Sequence, residues 1–127
     1  MGKNKNPFTL TNYLYRKIKN KENFIIWNKT KRNLIDIRDI KKIVKETLIK
    51  KKLMKNIINI KNNDSLYMEE IVSIFSKILQ RKPKYKTSKI KDNFNNNFVY
   101  RKSENKFITD FFKEKNYTEK VLQRYYK

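Results

Sequence analysis

Apolar residues recur at helical spacing in several stretches of the chain. The clearest stretch runs from about 34 to 55, where Ile37, Ile40, Val44 and Leu48 follow one another at steps of three and four. That period places the four side chains on one side of a helix, so we expect them to form its buried face. Lysines cover most of the remaining circumference and crowd the C-terminal end, where positive charge complements the helix dipole.

Three further stretches predict helices, over about 10–27, 64–80 and 106–125. Thr9 or Thr11 can cap the first of them and Asp64 the second, because hydroxyl and carboxylate oxygens accept the unpaired amide hydrogens of a first turn. Asn116 can divide the last helix in two. The aromatic residues of this last stretch are expected to be core or interface residues, and they are Phe107, Phe111, Phe112, Tyr117, Tyr125 and Tyr126.

The remaining segments predict little regular structure. Residues 56–60 form a β-branched run that favours one short strand, and 98–100 can form a strand edge. Residues 28–33 are a polar break, and 81–97 are an irregular linker rich in Lys and Asn. The expected fold is therefore mainly α, with three to four helices and at most one or two short strands. The core is expected to be small and incomplete, and to be completed by an assembly.

This pattern divides the chain into three parts. A basic N-terminal arm and a helical domain occupy 1–80, the basic linker occupies 81–97, and an aromatic helical segment occupies 98–127. The arm and the linker bury little apolar surface. We therefore expect the isolated chain at low salt to unfold without a cooperative transition.

The charge of the chain narrows the class of function. It carries 33 Lys+Arg against 12 Asp+Glu, a formal net charge of +21. Like charges at this density repel, so a polyanion is the expected counterpart: nucleic acid first, an anionic membrane surface second. The chain has 27 lysines and six arginines, which favours contacts with phosphates over reading of base edges.

Several kinds of chemistry are excluded by composition. The absence of Cys excludes disulfides and cysteine-ligated zinc, and the absence of His removes the commonest general base and metal ligand. The one glycine, Gly2, leaves no glycine-rich phosphate loop later in the chain. We expect no enzyme activity, no metal, no cofactor and no small-molecule substrate. Four carboxylates lie where helix starts favour negative charge and are expected to be caps and dipole partners: Asp36, Asp39, Glu69 and Glu70.

The basic linker is the strongest indication of RNA binding. From Lys77 to Lys91 there are seven basic residues and no acidic one, and Tyr85 among them can stack on an unpaired base. The lysine-covered helix and the N-terminal arm add further positive charge. The expected RNA-binding residues are Lys3, Lys5, Lys41, Lys45, Lys51, Lys52, Arg81, Lys82, Lys84, Tyr85, Lys86, Lys89 and Lys91. The alternative is a solvated loop and a solubilising helix face.

The first seven residues resemble the start of the S-three family of small-subunit ribosomal proteins. That family begins Met-Gly-x-Lys-x-Asn-Pro, and the residues in register here are Met1, Gly2, Asn6 and Pro7. Trp27 is similar to the family's tryptophan-containing stretch, and the helix over 34–55 with the run 56–60 looks like its basic helix and β-branched strand. The family then continues into a KH domain with a Gly-x-x-Gly loop, which this chain lacks. The resemblance therefore implies the N-terminal portion of such a protein, from a split gene.

A second resemblance starts at Leu14-Tyr15-Arg16. Mitochondrial LYR-motif proteins carry this tripeptide on their first helix and a Phe about three turns later, to which Phe24 is similar. Such proteins are three-helix adaptors that bind acyl carrier protein or sit in respiratory complex I. This resemblance implies the alternative function, an adaptor or accessory subunit of a mitochondrial respiratory complex.

The leading expectation is a structural constituent of a mitochondrial ribosome, in the small subunit, with ribosomal RNA and neighbouring ribosomal proteins as partners. Lys, Asn and Ile dominate while Ala is absent, which indicates an AT-biased genome such as that of an organelle. A plastid-type organelle is the alternative location. No targeting peptide and no run of about 18 apolar residues is present, so we expect synthesis in the organelle and no transmembrane segment.

Overall fold

Helices dominate the part of the chain that the structure describes. This computed structural model describes residues 6–50, 59–89 and 106–127. Its helices are α1 (Leu10–Lys19), α2 (Ile37–Lys50), α3 (Met68–Leu79), α4 (Lys106–Phe111) and α5 (Tyr117–Tyr126). Its strands are β1 (Asn23–Trp27), β2 (Lys31–Asn33), β3 (Ser65–Tyr67) and β4 (Lys84–Ser88). The prediction of a mainly α fold is confirmed, but the described residues contain five helices where three to four were expected, and four strands in two small sheets where at most two short strands were expected.

The first helix is shorter than its apolar pattern predicts. α1 ends at Lys19, and Lys21 turns the chain in the left-handed region with φ of 56°. The guanidinium of Arg81 donates a hydrogen bond to the carbonyl oxygen of Lys19 at this helix end. The prediction of a helix to residue 27 is wrong, because the β-branched and aromatic residues of β1 pair with another strand.

A parallel two-stranded sheet joins β1 to β4. Its register runs from Asn23 beside Lys84 to Trp27 beside Ser88. The prediction of an irregular linker over 81–97 is therefore wrong at β4: Pro83 favours an extended entry, and β1 supplies the hydrogen-bonding partner. The linker residues after 89 lie outside the described residues, as does the predicted strand edge at 98–100.

A second, antiparallel sheet pairs β2 with β3, with Lys31 beside Tyr67 and Asn33 beside Ser65. The polar run 28–33, expected to be a break, therefore contains a strand. The Asn33 side-chain amide donates to Ser65 Oγ over 2.9 Å and to Asn62 Oδ1 over 3.0 Å. These hydrogen bonds of Asn33 hold β2 beside β3.

The predicted buried face of the second helix is wrong. α2 begins at Ile37, and its buried residue among those described is Ile43. Ile37, Val44 and Leu48 are exposed, Leu48 to 73%. The side of α2 that faces the second cluster is therefore the side that carries Ile43, and not the side that the apolar spacing predicts. Residues 51–58 lie outside the described residues, and Ile60, the end of the predicted strand, is in no regular element.

The third helix begins later than expected. α3 starts at Met68, and the Glu70 carboxylate accepts a hydrogen bond of 2.6 Å from the backbone N–H of Tyr67. Asp64 was expected to cap this helix. Its Oδ2 instead accepts from the N–H of Thr118 over 3.1 Å, so it caps α5, which packs nearby.

Two hydrophobic clusters form the core. The first cluster joins α1, β1, α3 and α5 around Phe75, which is fully buried. The second cluster joins α2, α4 and α5 around Ile108 and Phe112. The prediction that the C-terminal aromatic residues are core residues is confirmed, since all six pack in or against these clusters. The predicted division of the last helix at Asn116 is also confirmed, because Asn116 lies between α4 and α5 with φ of 58°.

Candidate nucleic-acid interface

In the β1–β4 sheet, β1 has one side in the core and one side in solvent, whereas all residues of β4 are exposed. On β1, Phe24 and Ile26 are buried in the first cluster, while the alternate residues are exposed. Residues paired in a parallel register point to the same side of the sheet, so the exposed residues of β1 share a side with every second residue of β4. We call these residues the sheet face, and they are Asn23, Ile25, Trp27, Lys84, Lys86 and Ser88.

The lysines of the sheet face lack acidic partners in the described part of the chain. Lys84 and Lys86 are exposed, and neither forms an ion pair within residues 6–50, 59–89 and 106–127. The neighbouring sequence adds no negative charge either, because neither 23–35 nor 77–91 contains an acidic residue. Within residues 6–50, 59–89 and 106–127, no carboxylate neutralises the positive charge of the sheet face, which is therefore available to a polyanion.

Several lysines elsewhere on the surface pair with carboxylates of the chain. Lys113 lies 3.0 Å from Asp110, and Lys120 pairs with Glu114. Near the end of α1, a hydrogen bond from Lys17 holds the pKa of the Glu22 carboxyl below its usual range. In having a carboxylate partner, these lysines differ from Lys84 and Lys86.

Exposed apolar side chains lie beside the two lysines. Ile25 is 62% exposed and Trp27 55%, although both belong to a strand whose other side is fully packed. A shallow cleft of about 460 Å³ lies at the first residues of the two strands, and its lining residues are Asn23, Phe24, Ile25, Lys84, Tyr85 and Lys86. Aromatic and aliphatic groups beside phosphate-binding cations are typical of surfaces that bind unpaired nucleotides.

Tyr85 was expected to stack on a base, and the structure gives its ring a partner in the chain. It lies on the side opposite Lys84 and Lys86, with its centroid 5.7 Å from that of Phe24 and the two rings tilted by 31°. Tyr85 as a whole is 37% exposed.

The other predicted RNA-binding residues fall into three groups. Lys41 and Lys45 are exposed on α2. Lys82 and Lys89 are exposed on either side of β4, whereas Arg81 is engaged at the end of α1. Those that lie outside the described residues are Lys3, Lys5, Lys51, Lys52 and Lys91. The structure does not bring all of them together, since α2 packs against the second cluster and the sheet against the first.

No protein-family model matches this chain, and no curated protein matches it in sequence. Within the described residues, no helix is both long and apolar enough to span a membrane. The Leu-Tyr-Arg tripeptide lies on α1, where Leu14 is fully buried, Tyr15 packs against Phe75 and Arg16 is exposed. Phe24 lies on β1 and not on the same helix.

The Asp36 carboxylate holds the N-terminal end of α2. It is fully buried, and its Oδ1 accepts from the backbone N–H of Arg38 over 2.9 Å, so the predicted role as a cap is confirmed. Tyr125 and Arg124 on α5 donate to it over 2.7 and 2.6 Å. Burial acts to raise the pKa of Asp36, but these donors outweigh burial and hold the pKa well below its usual range.

Tyr117, the first residue of α5, also links α5 to the start of α2, through hydrogen bonds of its hydroxyl group. Its hydroxyl accepts from the backbone N–H of Asp36 over 3.0 Å and donates to Asp39 Oδ2 over 2.7 Å. Burial raises the pKa of this hydroxyl above its usual value, so it remains a donor at neutral pH. Asp36 and Asp39 are thus occupied in holding α2, and no group of Asp, Glu, His or Cys in the described part of the chain could hold a metal ion.

Sequence reasoning missed the contribution of β1 to this surface. Ile25 and Trp27 were assigned to the end of a helix, and Arg32 to a polar break. The signal was the run Phe24-Ile25-Ile26-Trp27, which consists of strand-favouring residues and follows the polar residues at the end of α1. Reading it as a strand would have placed Trp27 beside the lysines of β4 only if the pairing of β1 with β4 were also known.

Proposed function

We propose that the protein is a structural RNA-binding subunit of an organellar ribosome, in the small subunit of a mitochondrial ribosome. Its partners are ribosomal RNA and neighbouring ribosomal proteins. The observation that carries this proposal is the sheet face, where Lys84 and Lys86 project without an ionic partner in the described residues beside exposed Trp27.

Phosphate is the ligand group that the lysines of the sheet face are best able to bind. A lysine without an acidic neighbour releases condensed counterions when it meets a phosphate, and that release drives association. An anionic membrane surface would also attract the net charge of +21. Lys41 and Lys45 on α2 provide a second basic surface, so one copy of the chain can contact two segments of RNA.

Direct binding tests the RNA contact. We expect the Lys84→Gln/Lys86→Gln variant to bind a mixed-sequence RNA oligonucleotide roughly tenfold or more weakly than the parent chain at low salt, as followed by fluorescence anisotropy. The Lys113→Gln/Lys120→Gln variant is the matched control, since it loses the same charge where the lysines already face Asp110 and Glu114. Equal affinities of the two variants would contradict the proposal.

Sedimentation of an organelle lysate tests the ribosomal assignment. We expect the protein to cofractionate with small ribosomal particles and to leave that fraction after ribonuclease treatment. Recovery in a detergent-solubilised respiratory complex would instead support the adaptor function, and would contradict this proposal.

A further inference from the structure

A second cleft lies beside Trp27, at the end of β1, and borders both the sheet face and the edge of the first cluster. Its volume is about 180 Å³, and Trp27, Leu10, Met68 and Arg32 are among its lining residues. Sites for whole cofactors and drug-sized molecules measure roughly 300–1,000 Å³. This Trp27 cleft therefore has room for one flat ring system and not for a complete dinucleotide.

The walls of the cleft match the two chemical parts of a nucleobase. Trp27 and the aliphatic residues of the lining supply apolar surface, while Arg32 and Thr30 supply polar groups; the Thr30 hydroxyl donates to the carbonyl oxygen of Trp27 over 2.8 Å and can accept a further hydrogen bond. The Arg32 guanidinium donates to the carbonyl oxygen of Lys31 over 2.9 Å, which restrains the guanidinium close to the strand. A restrained, planar guanidinium is a stacking partner for a base.

Charge complementarity indicates what the ring is attached to. Lys86 lies beside Ile25 on the adjacent strand, and Lys84 lies two residues further along the same side, about 6.6 Å away along the strand. A ligand that places a ring against Trp27 and continues along the sheet face therefore meets two cations in succession. A polyanion with bases as side groups has this form.

We propose that the Trp27 cleft binds one unpaired nucleobase, so that the RNA held on the sheet face is single-stranded. This inference rests on the proposed RNA-binding function and specifies its ligand. In a duplex the faces of the bases are covered by their neighbours in the stack, so a duplex can meet Lys84 and Lys86 but leaves the cleft empty.

The fluorescence of Trp27 gives a direct test, because the chain contains one tryptophan. The parent protein is titrated with a single-stranded RNA oligonucleotide, with the same length of duplex, and with an abasic oligonucleotide of the same charge. We expect all three to bind by anisotropy of a labelled strand, and only the single strand to quench the tryptophan. Equal quenching by the duplex or the abasic strand, or none by the single strand, would overturn the inference.

Affinity supplies the second readout. Trp27→Leu keeps an apolar wall and removes the aromatic ring, and we expect it to bind the single strand roughly 5- to 150-fold more weakly while its affinity for the duplex is unchanged. Trp27→Phe is expected to restore most of the loss. If Trp27→Leu binds the single strand as tightly as the parent while Lys84→Gln/Lys86→Gln does not, base stacking is wrong and RNA binding stands. If no form of RNA binds, both proposals are wrong.

Discussion

Arg124, near the C-terminal end of α5, donates a hydrogen bond of 2.6 Å to the buried carboxylate of Asp36, at the start of α2. Arg38 approaches the same carboxylate oxygen over 3.0 Å from the other side. Both guanidinium groups are about half exposed, so they keep part of their hydration while Asp36 loses all of its own. Hydrogen bonds from the chain thus replace water around this carboxylate and join two distant parts of the sequence.

Replacement of Asp36 by Asn is expected to destabilise the protein by about 1–3 kcal/mol. The amide keeps the shape of the side chain but loses the charge that attracts Arg38 and Arg124. The free energy of unfolding is measured by urea denaturation at high salt, where repulsion among the lysines is screened. Asp110→Asn removes a partly exposed pair with Lys113, and is the control expected to cost less than about 0.5 kcal/mol. Similar losses in the two variants would contradict the role given to Asp36.

Stability is expected to fall in acid partly through Asp36. Its pKa in the folded protein lies below the ordinary value of about 3.9, so its contribution is complete above about pH 5 and is lost as the pH falls toward the folded pKa. Urea midpoints measured between about pH 7 and pH 2 should therefore decline less steeply for Asp36→Asn than for the parent or for Asp110→Asn. Parallel curves for all three proteins would show that Asp36 does not carry this dependence.

The strand assignment of β1 can be tested on two neighbouring isoleucines. Ile26 is 2% exposed and Ile25 is 62% exposed, although they are identical in chemistry and adjacent in sequence. We expect Ile26→Ala to lower the free energy of unfolding by about 2–5 kcal/mol and Ile25→Ala by less than about 0.5 kcal/mol. If the two substitutions cost the same, the alternation along β1 is wrong.

Turns in this glycine-poor chain place other residues in the left-handed region. Gln80 ends α3 with φ of 51°, a conformation that costs a residue with a Cβ about 1–2 kcal/mol. We expect Gln80→Gly to raise the free energy of unfolding by about 0.5–1 kcal/mol. Gln123→Gly, within α5, is the matched control and should lower it by about as much. A loss of stability in both variants would contradict the geometry at the end of α3.

Local pattern was sufficient for some elements and not for others. The helices α3 and α5 could be predicted because their apolar spacing agrees with the faces that they bury, as at Phe75 and Leu122. In α2 the spacing is misleading, since Val44 is exposed and Ile43 is buried. Which side of a helix packs depends on tertiary contacts such as those of Asp36, which the periodicity of the helix does not encode.

Part of the candidate site could likewise be predicted from the sequence, and part of it could not. The lysines of β4 could be found from charge alone, because the run around Pro83 has no acidic residue. Trp27 could not be placed on the same surface, since 56 residues lie between Trp27 and Lys84 and a parallel pairing leaves no turn signal in the sequence. The indole and the lysines share a surface only through the pairing of β1 with β4.

The salt dependence of RNA affinity tests the central claim most directly. If Lys84 and Lys86 each contact a phosphate of single-stranded RNA, the slope of log affinity against log salt should fall in magnitude by roughly 1.4 in the Lys84→Gln/Lys86→Gln variant. The Lys113→Gln/Lys120→Gln variant should keep the slope of the parent chain. A slope that is the same in all three proteins would contradict the assignment of the sheet face as an RNA-binding surface.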